Sequence, residues 1–455
     1  MMRWQISAVM ARARYGDSDE QRARAEADRP VTGGYGLSRE RFFLLYAVML
    51  VAAAGNTAMQ SLMPSIGRQL GIPDFWTAAA FSLSALLWVL MAPYWARLAD
   101  RRGRRVLMRL GLWGFIASMA GCGAALAAGL SGLIAPVAAF LLFVVGRGIY
   151  GAWGSASPPA VQAYVAARTD GEQRTNALAA IASSFGLGTI LGPAVAPLFI
   201  FPPLGLPGPL IFFAGIGALV LIAVATRLPD DTPRNPARGA IIDYPGLGGG
   251  SQIAQKDDED VRVPLRWRDP RVKGWLAIGV IGGHGQAALF GVIGFLVIDR
   301  LAVPLDQAQQ WIALVLMAGA AATLLAQWWL IPLLRLDPRG LMLWGAIASA
   351  AGAMVSGMSE GIYGITLGFA LASVGFGLFR PGFTSGASLA VAPHEQNAVA
   401  GMVTSVNGAA YFIGPAAGVA LYGLGLAAPF IATAGLMGAV ALWVSLRFRP
   451  SARAA

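Results

Sequence analysis

The sequence predicts an all-α membrane protein with twelve transmembrane helices in two pseudo-symmetric six-helix bundles. Three observations carry that prediction. Only 13% of the 455 residues are charged while 56% are hydrophobic, and a soluble domain is usually about a quarter charged. The hydrophobic residues gather in twelve runs, each near the length of about 20 residues that a helix needs to cross a bilayer. The basic residues between the runs fall almost entirely on one side of the threaded chain, and the second six runs echo the first.

Residues 1–40 are polar and mixed in charge, as in RARYGDSDEQRARAEADRP. No apolar core of signal-peptide length precedes a cleavage site, so the segment reads as a disordered cytoplasmic tail. The first bundle, 41–226, holds runs at 41–63, 77–96, 107–128, 137–157, 175–199 and 209–226. Gly and Pro occur within these runs, which membrane helices tolerate. Residues 227–273 contain RLPDDTPRNPARG, GLGGGSQ and QKDDEDVRVPLRWRD, a Gly-, Pro- and charge-rich composition suited to a flexible linker. The second bundle, 274–446, holds runs at 274–298, 308–333, 341–358, 362–385, 397–422 and 428–446, and residues 447–455 form a short tail.

Orientation follows from Lys and Arg, which concentrate in cytoplasmic loops. With the N-terminus inside, thirty of the thirty-four basic residues are cytoplasmic, counting Arg41 and Arg109 at the cytoplasmic ends of their runs. Arg68 and Arg300 fall outside, and Arg147 and Arg380 fall within spans. Both termini are therefore expected in the cytoplasm, with the chain in a plasma membrane (in bacteria, the inner membrane). The net charge of +11 does not indicate nucleic acid, because it resides in these loops. The one cysteine, Cys122, lies inside a run and reads as a small packing residue.

The internal repeat is clearest in the fifth and eleventh spans, AIASSFGLGTILGPAVAP and MVTSVNGAAYFIGPAAGV, which share Gly192-Pro193 and Gly414-Pro415. Asp100-Arg-Arg-Gly103 is matched by Asp337-Pro-Arg-Gly340, each after the second helix of its half, and GRGIY (146–150) by GFGLF (375–379). Parallel repeats of this kind place a pseudo-two-fold axis along the membrane normal, with a cavity between halves that can rock. In ARLADRRGRR (96–105), Asp100 is placed to cap the third helix, Gly103 permits a tight turn, and Arg104 and Arg105 anchor the loop with their neighbours.

On these motifs the chain, over roughly residues 41–446, resembles the major facilitator superfamily, in particular its twelve-helix drug:proton antiporters. The superfamily loop pattern G-x-x-x-D-R/K-x-G-R/K-R/K is matched from Asp100 onward, with Ala96 in place of the first Gly. The resemblance gives Asp100, Gly103, Arg104 and Arg105 the role of a gating loop that closes the cytoplasmic side. GTILGPAVAP (188–197) resembles the antiporter motif G-x-x-x-G-P-x-x-G-G at Gly188, Gly192 and Pro193, and Ala196 and Pro197 depart from it. Arg147 with Gly151 resembles the fourth-helix R-x-x-x-G, whose Arg is linked to proton coupling. The acidic partner usual in the first helix is missing, since that span offers Asn56 and Gln60.

No Asp or Glu occurs within any span. A charge in hydrocarbon costs several kcal/mol, so Arg147 requires polar partners, water or an anion. The polar side chains available within spans include Asn56, Gln60, Gln162, Gln286, Gln327 and Asn407. His284 is the one mid-span group that titrates near neutral pH, and it is the candidate proton carrier. Arg380 reads as a snorkelling or gate residue. Two arginines facing one cavity would favour an anionic substrate. The expected function is secondary active transport, foremost proton-linked export of small molecules, with an organic-anion carrier as the alternative. A membrane enzyme is disfavoured: two histidines, one cysteine and no intramembrane acid leave no evident metal cluster or carboxylate pair, and no P-loop pattern is present. The expected partners are a small-molecule substrate, protons and lipid, without nucleic acid or cofactor, and the chain is expected to act as a monomer.

Overall fold

The computed structural model describes residues 37–169, 171–202, 204–229, 265–392 and 395–448. The tail expected over 1–40 lies almost entirely outside the described residues, as do most of the linker and all but the start of the C-terminal tail. The helices belong to one unit that begins at Arg39. In chain order they are α1 (Arg39–Gln69), α2 (Asp74–Arg102), α3 (Arg104–Leu130), α4 (Pro136–Trp153), α5 (Ser157–Ala166), α6 (Gly171–Val195) and α7 (Gly208–Arg227) in the first half. The second half contains α8 (Lys273–Leu301), α9 (Leu305–Leu325), α10 (Ile331–Leu334), α11 (Pro338–Met358), α12 (Ile362–Leu389), α13 (Gln396–Tyr422) and α14 (Ala428–Arg447). No strand occurs among the described residues.

Two of the twelve rods are interrupted. A 3-10 turn at Gly154–Ala156 separates α4 from α5. Pro158 and Pro159 follow it and supply no N–H to the carbonyls one turn earlier, so the backbone tightens there. A π turn at Ala326–Leu330 joins α9 to α10 and contains Gln327. Most helices outrun the apolar segments. Helix α2 starts at Asp74 and ends at Arg102, because the backbone ladder continues past the hydrocarbon where side chains turn polar.

Among the described residues, eleven rods are long and apolar enough to cross a bilayer. The eleventh expected span is present as the 27-residue helix α13 but is less apolar than the others. Its Thr404, Ser405 and Asn407 are part of the reason, and Asn407 is buried. A helix packed between two protein halves does not need a lipid-facing surface all round.

The ends of the bundle define two faces. Near the chain ends, Glu40 accepts from Arg227 at 3.1 Å, and Trp275 packs edge-on against Phe448 at 4.6 Å between ring centres. This is the terminal face, and the opposite one is the distal face. A clasp closes the terminal face of the second half. The Arg271 guanidinium donates to Asp269 at 2.8 Å and to both oxygens of Glu395 at 2.8 Å, tying the turn before α8 to the start of α13. Hydrogen bonding to Arg271 holds the Asp269 carboxyl below the usual carboxylate range. A depressed folded-state pKa contributes stability above the unfolded value of about 4, and that contribution is lost as pH falls through the depressed value. Arg271→Ala is therefore expected to lower the thermal midpoint near neutral pH and to flatten its fall in acid. Thermal unfolding across that range checks this.

The halves repeat each other in packing. In the first, a Cβ at Gly188 would stand 2.5 Å from the Leu50 carbonyl oxygen, and one at Gly192 would collide with that of Ala54. Helices α1 and α6 thus touch backbone to backbone. In the second, Gly414 lies against Ala287 and Gly418 against Ala288, so α13 and α8 meet in the same way. Small residues at helix crossings allow this approach in membranes.

Candidate functional site

At the distal face the two halves are joined by polar contacts. Arg68, in the last turn of α1, donates to Asp74 at 3.2 and 2.8 Å within its own half. It also reaches across to both carboxylate oxygens of Asp299 at the end of α8, one of them at 2.8 Å. The Tyr422 hydroxyl donates to the same carboxylate at 2.6 Å. Below this clamp, Gln309 donates to Ser61 at 2.9 Å, and Pro64 packs on Gly294. Deeper in the bundle, Gly408 of α13 meets Val89 of α2, and Gly186 of α6 faces Leu324 of α9.

Two cavities lie along this interface. The distal one is lined from the first half by Gln60, Met63, Thr77 and Phe81, and from the second by Phe290, Phe295, Leu316, Tyr411 and Pro415, among others. The second cavity is lined by Gly186, Thr189 and Pro193 of α6 and by Gln286, Phe290, Leu316, Thr323, Ser373 and Phe376 of the other half. Phe290 and Leu316 belong to both linings, so the two cavities adjoin at this pair. Neither lining includes a charged side chain.

The α6 motif therefore has two faces. Gly188 and Gly192 seat the helix on α1, where the Thr57 hydroxyl donates to the Gly188 carbonyl at 3.4 Å. Gly186, Thr189 and Pro193 face the cavity shared with the other half. The repeat partner Pro415 lines the distal cavity, so each half contributes its Gly-Pro element to one chamber.

Arg147 is fully buried inside the first half. Its guanidinium lies over the Phe81 ring at 4.7 Å and the Tyr150 ring at 5.1 Å, and it contacts the Met59 sulfur at 3.6 Å. Phe81 lines the distal cavity and Arg147 does not, which places the arginine one ring behind the wall. Arg380 extends a helical stripe of Phe369, Ser373 and Phe376 that lines the second cavity and interacts with Tyr411 of the distal one. Asn56 is buried one turn before Gln60 on α1, and Asn407 one turn before Tyr411 on α13.

His284 lines neither cavity. Gly283 packs on Ala410 of α13 and Gly285 on Thr433 of α14. At about 100° per residue the intervening His284 points between those two helices. Its Nδ1 is 2.7 Å from the Val280 carbonyl oxygen one turn back, a bond that ties the ring to its own helix. Arg147 and His284 are therefore set in different halves with different surroundings. The residues that sequence reasoning missed are Thr77, Phe81, Phe290 and the clamp of Arg68, Asp74 and Asp299. In sequence they were an ordinary hydroxyl, two apolar rings and three loop charges, and no local pattern marks them.

A model described as Major Facilitator Superfamily matches residues 6–126 and 45–335. The chain belongs to the Major Facilitator Superfamily. A multidrug resistance protein, MdtG of Dickeya zeae, is 27% identical over 157 residues, which is 33% of this chain and 35% of that protein. The MFS-type transporter sphD of Aspergillus fumigatus is 28% identical over 188 residues, 38% and 30% of the two chains. The chain thus spans about a third of the length of these relatives. Among solved structures, a point mutant of the nucleoside transporter NupG superposes with a TM-score of 0.67 at 12% identity, covering 90% of this chain and 100% of that one. The human organic anion transporter MFSD10 gives 0.58 at 18%, again covering 90% and 100%. At such identities the likeness concerns the superfamily fold.

Within that fold, the loop of the superfamily motif is a one-residue turn. Helix α2 runs through Asp100 to Arg102, and α3 restarts at Arg104. Gly103 alone separates them, at φ 93°, a conformation that disfavours any side chain. Arg104 is buried, and Arg105 donates to the Ala225 carbonyl near the end of α7. The side chain of Asp100 lies outside the described residues. In the second copy, Asp337 caps α11 by accepting from the Gly340 N–H at 2.9 Å.

Proposed function

We propose that the chain is a secondary active transporter that exports small molecules in exchange for protons, by alternating access between its halves. The observation that carries this reading is the pair of cavities at the interface, each lined from both halves and sited beneath the distal clamp. A transporter needs such a place where cargo touches both moving parts. The α6 motif, resembling that of antiporters, supports export, as does the similarity to proteins named for multidrug resistance. The working unit is a monomer with bundles at 41–226 and 274–446. It resides in the plasma membrane, the inner membrane of a bacterium, with both termini and the Asp100 loop in the cytoplasm. The distal face then looks outward, and the clamp closes the outer side.

Arg147 is assigned to the proton pathway through its place behind Phe81, with Asn56, Gln60, Gln286, Arg380 and Asn407 along the route. His284, tied to its own helix through the Val280 carbonyl, is the candidate proton carrier of the second half. Uptake of cargo into inside-out vesicles, with and without an imposed pH gradient, tests the proposal. Gradient-driven accumulation that falls at least tenfold in Arg147→Ala at equal membrane abundance is expected. Accumulation indifferent to the gradient removes proton exchange, and undiminished transport by Arg147→Ala removes the arginine assignment. An organic-anion carrier is the second reading, favoured by the position of Arg380 at the end of the second cavity's stripe. Competition by matched anions and cations decides it.

A further inference from the structure

We infer that the distal cavity is a binding site for an uncharged, lipophilic molecule carrying both a hydrogen-bond donor and an acceptor, held by Gln60, Thr77 and Tyr411. The inference rests on the transporter reading only in taking the bound molecule to be cargo.

The lining is mostly hydrocarbon and aromatic, yet three polar atoms in it have no hydrogen-bond partner among the described residues: the Gln60 amide oxygen, the Thr77 hydroxyl and the Tyr411 hydroxyl. Thr77 is 2% exposed and Tyr411 4%, so bulk water does not satisfy them. Buried polar groups without partners are rare and costly, and valine or phenylalanine would fill two of these places without that cost. The three groups come from α1, α2 and α13, on both sides of the interface. Together they suit one guest seated between the halves. The Gln60 oxygen only accepts, whereas each hydroxyl can donate or accept. The guest must therefore offer a donor to Gln60 and an acceptor to a hydroxyl.

Charge is selected against in both signs. No acidic side chain lines the cavity to hold an ammonium group. Two of its rings already serve internal cations, Phe81 beneath Arg147 at 4.7 Å and Phe295 beneath Arg68 at 5.4 Å, so a cationic guest meets like charge behind the wall. A carboxylate would have to shed its water into a lining whose own side chains are all uncharged, with Arg380 set behind Tyr411 and Arg147 behind Phe81, which is unfavourable without a direct ion pair. A neutral aromatic amide or phenol meets neither penalty.

Binding to the purified full-length chain in detergent tests this with four probes on one biaryl frame: 4-phenylbenzamide, 4-phenylbenzoate, a 4-biphenylyl trimethylammonium salt and biphenyl itself. The amide is expected to bind at least tenfold more tightly than either ion. Tyr411→Phe and Thr77→Val are each expected to weaken amide binding about five- to tenfold, the worth of one hydrogen bond, while leaving biphenyl binding unchanged. Preference for the ammonium or the carboxylate overturns the inference. So does amide binding indifferent to both substitutions, an equal loss of biphenyl binding, or failure of all four probes to bind. Movement of the amide in proteoliposomes is scored separately. Binding with the expected pattern but no movement leaves the site standing and removes the transport reading, whereas movement with a preference for the ammonium probe does the reverse.

Discussion

Gly192→Val is expected to remove the folded protein from the membrane. A Cβ at this position would overlap the Ala54 carbonyl oxygen and the Thr57 hydroxyl and would stand 2.9 Å from the Ala58 nitrogen. Two of these three neighbours are backbone, which cannot rotate aside. Overpacking a well-fitted site costs about 1–3 kcal/mol. Here relief requires the whole of α6 to move off α1, opening the seam that also carries Gly188. The cost is therefore expected at or above the top of that range, enough to deplete a protein of ordinary marginal stability. Gly215→Val is the matched control, because a Cβ there meets nothing within 4 Å. Size-exclusion profiles of the two variants, expressed in parallel, provide the measurement. A monodisperse Gly192→Val protein at normal yield would refute the packing account.

Asp299→Asn is expected to open the distal face. In the native protein Asp299 receives Arg68 from the other half and Tyr422 from its own. Arg68 and Asp299 side chains are 22% and 28% exposed, so solvent screens the pair in part and its worth is below that of a fully buried one. An estimate of about 1–2 kcal/mol corresponds to roughly a 5–30-fold change in the balance between closed and open forms. Arg68 does not lose its function as a cation on substitution, since Asp74 holds it within the first half. The released contact is thus specifically the one between halves. A thiol introduced as Gln60→Cys, with Cys122 replaced by Ala, reports the change. Labelling by a membrane-impermeant maleimide from the distal side is expected to accelerate at least fivefold in Asp299→Asn. An unchanged rate means that the apolar contacts of Pro64 with Gly294 hold that side closed by themselves.

The architecture was legible because its determinants are periodic and collective. Length of apolar run, loop charge and the doubled Gly-Pro element each survive a few residues of error, and they agreed on twelve rods in two halves. Gly188 and Gly192 were legible for a related reason, since a helix with small residues four apart has one natural use in a membrane. The orientation of single side chains was another matter. Arg147 and His284 drew notice as the polar exceptions in apolar spans, but whether such a residue meets the cavity depends on helix rotation. One residue of phase turns it by about 100°, and the sequence carries no record of that phase. The walls of the two chambers escaped notice for the opposite reason. Phe290, Phe81 and Thr77 are residues of ordinary kind for membrane helices. They acquire meaning only through neighbours far along the chain, such as Tyr411.

Phe290 and Leu316 matter also for what they forbid. Because both stand where the two chambers adjoin while Arg68 and Asp299 join the halves at the distal end, the fold places two constrictions in series, in the manner of an airlock. On the transport reading proposed above, cargo passes one door at a time, and opening either door alone creates no through pore. On that same reading, a cell that stores energy as an ion gradient can keep many copies of this chain in its membrane without short-circuiting that store.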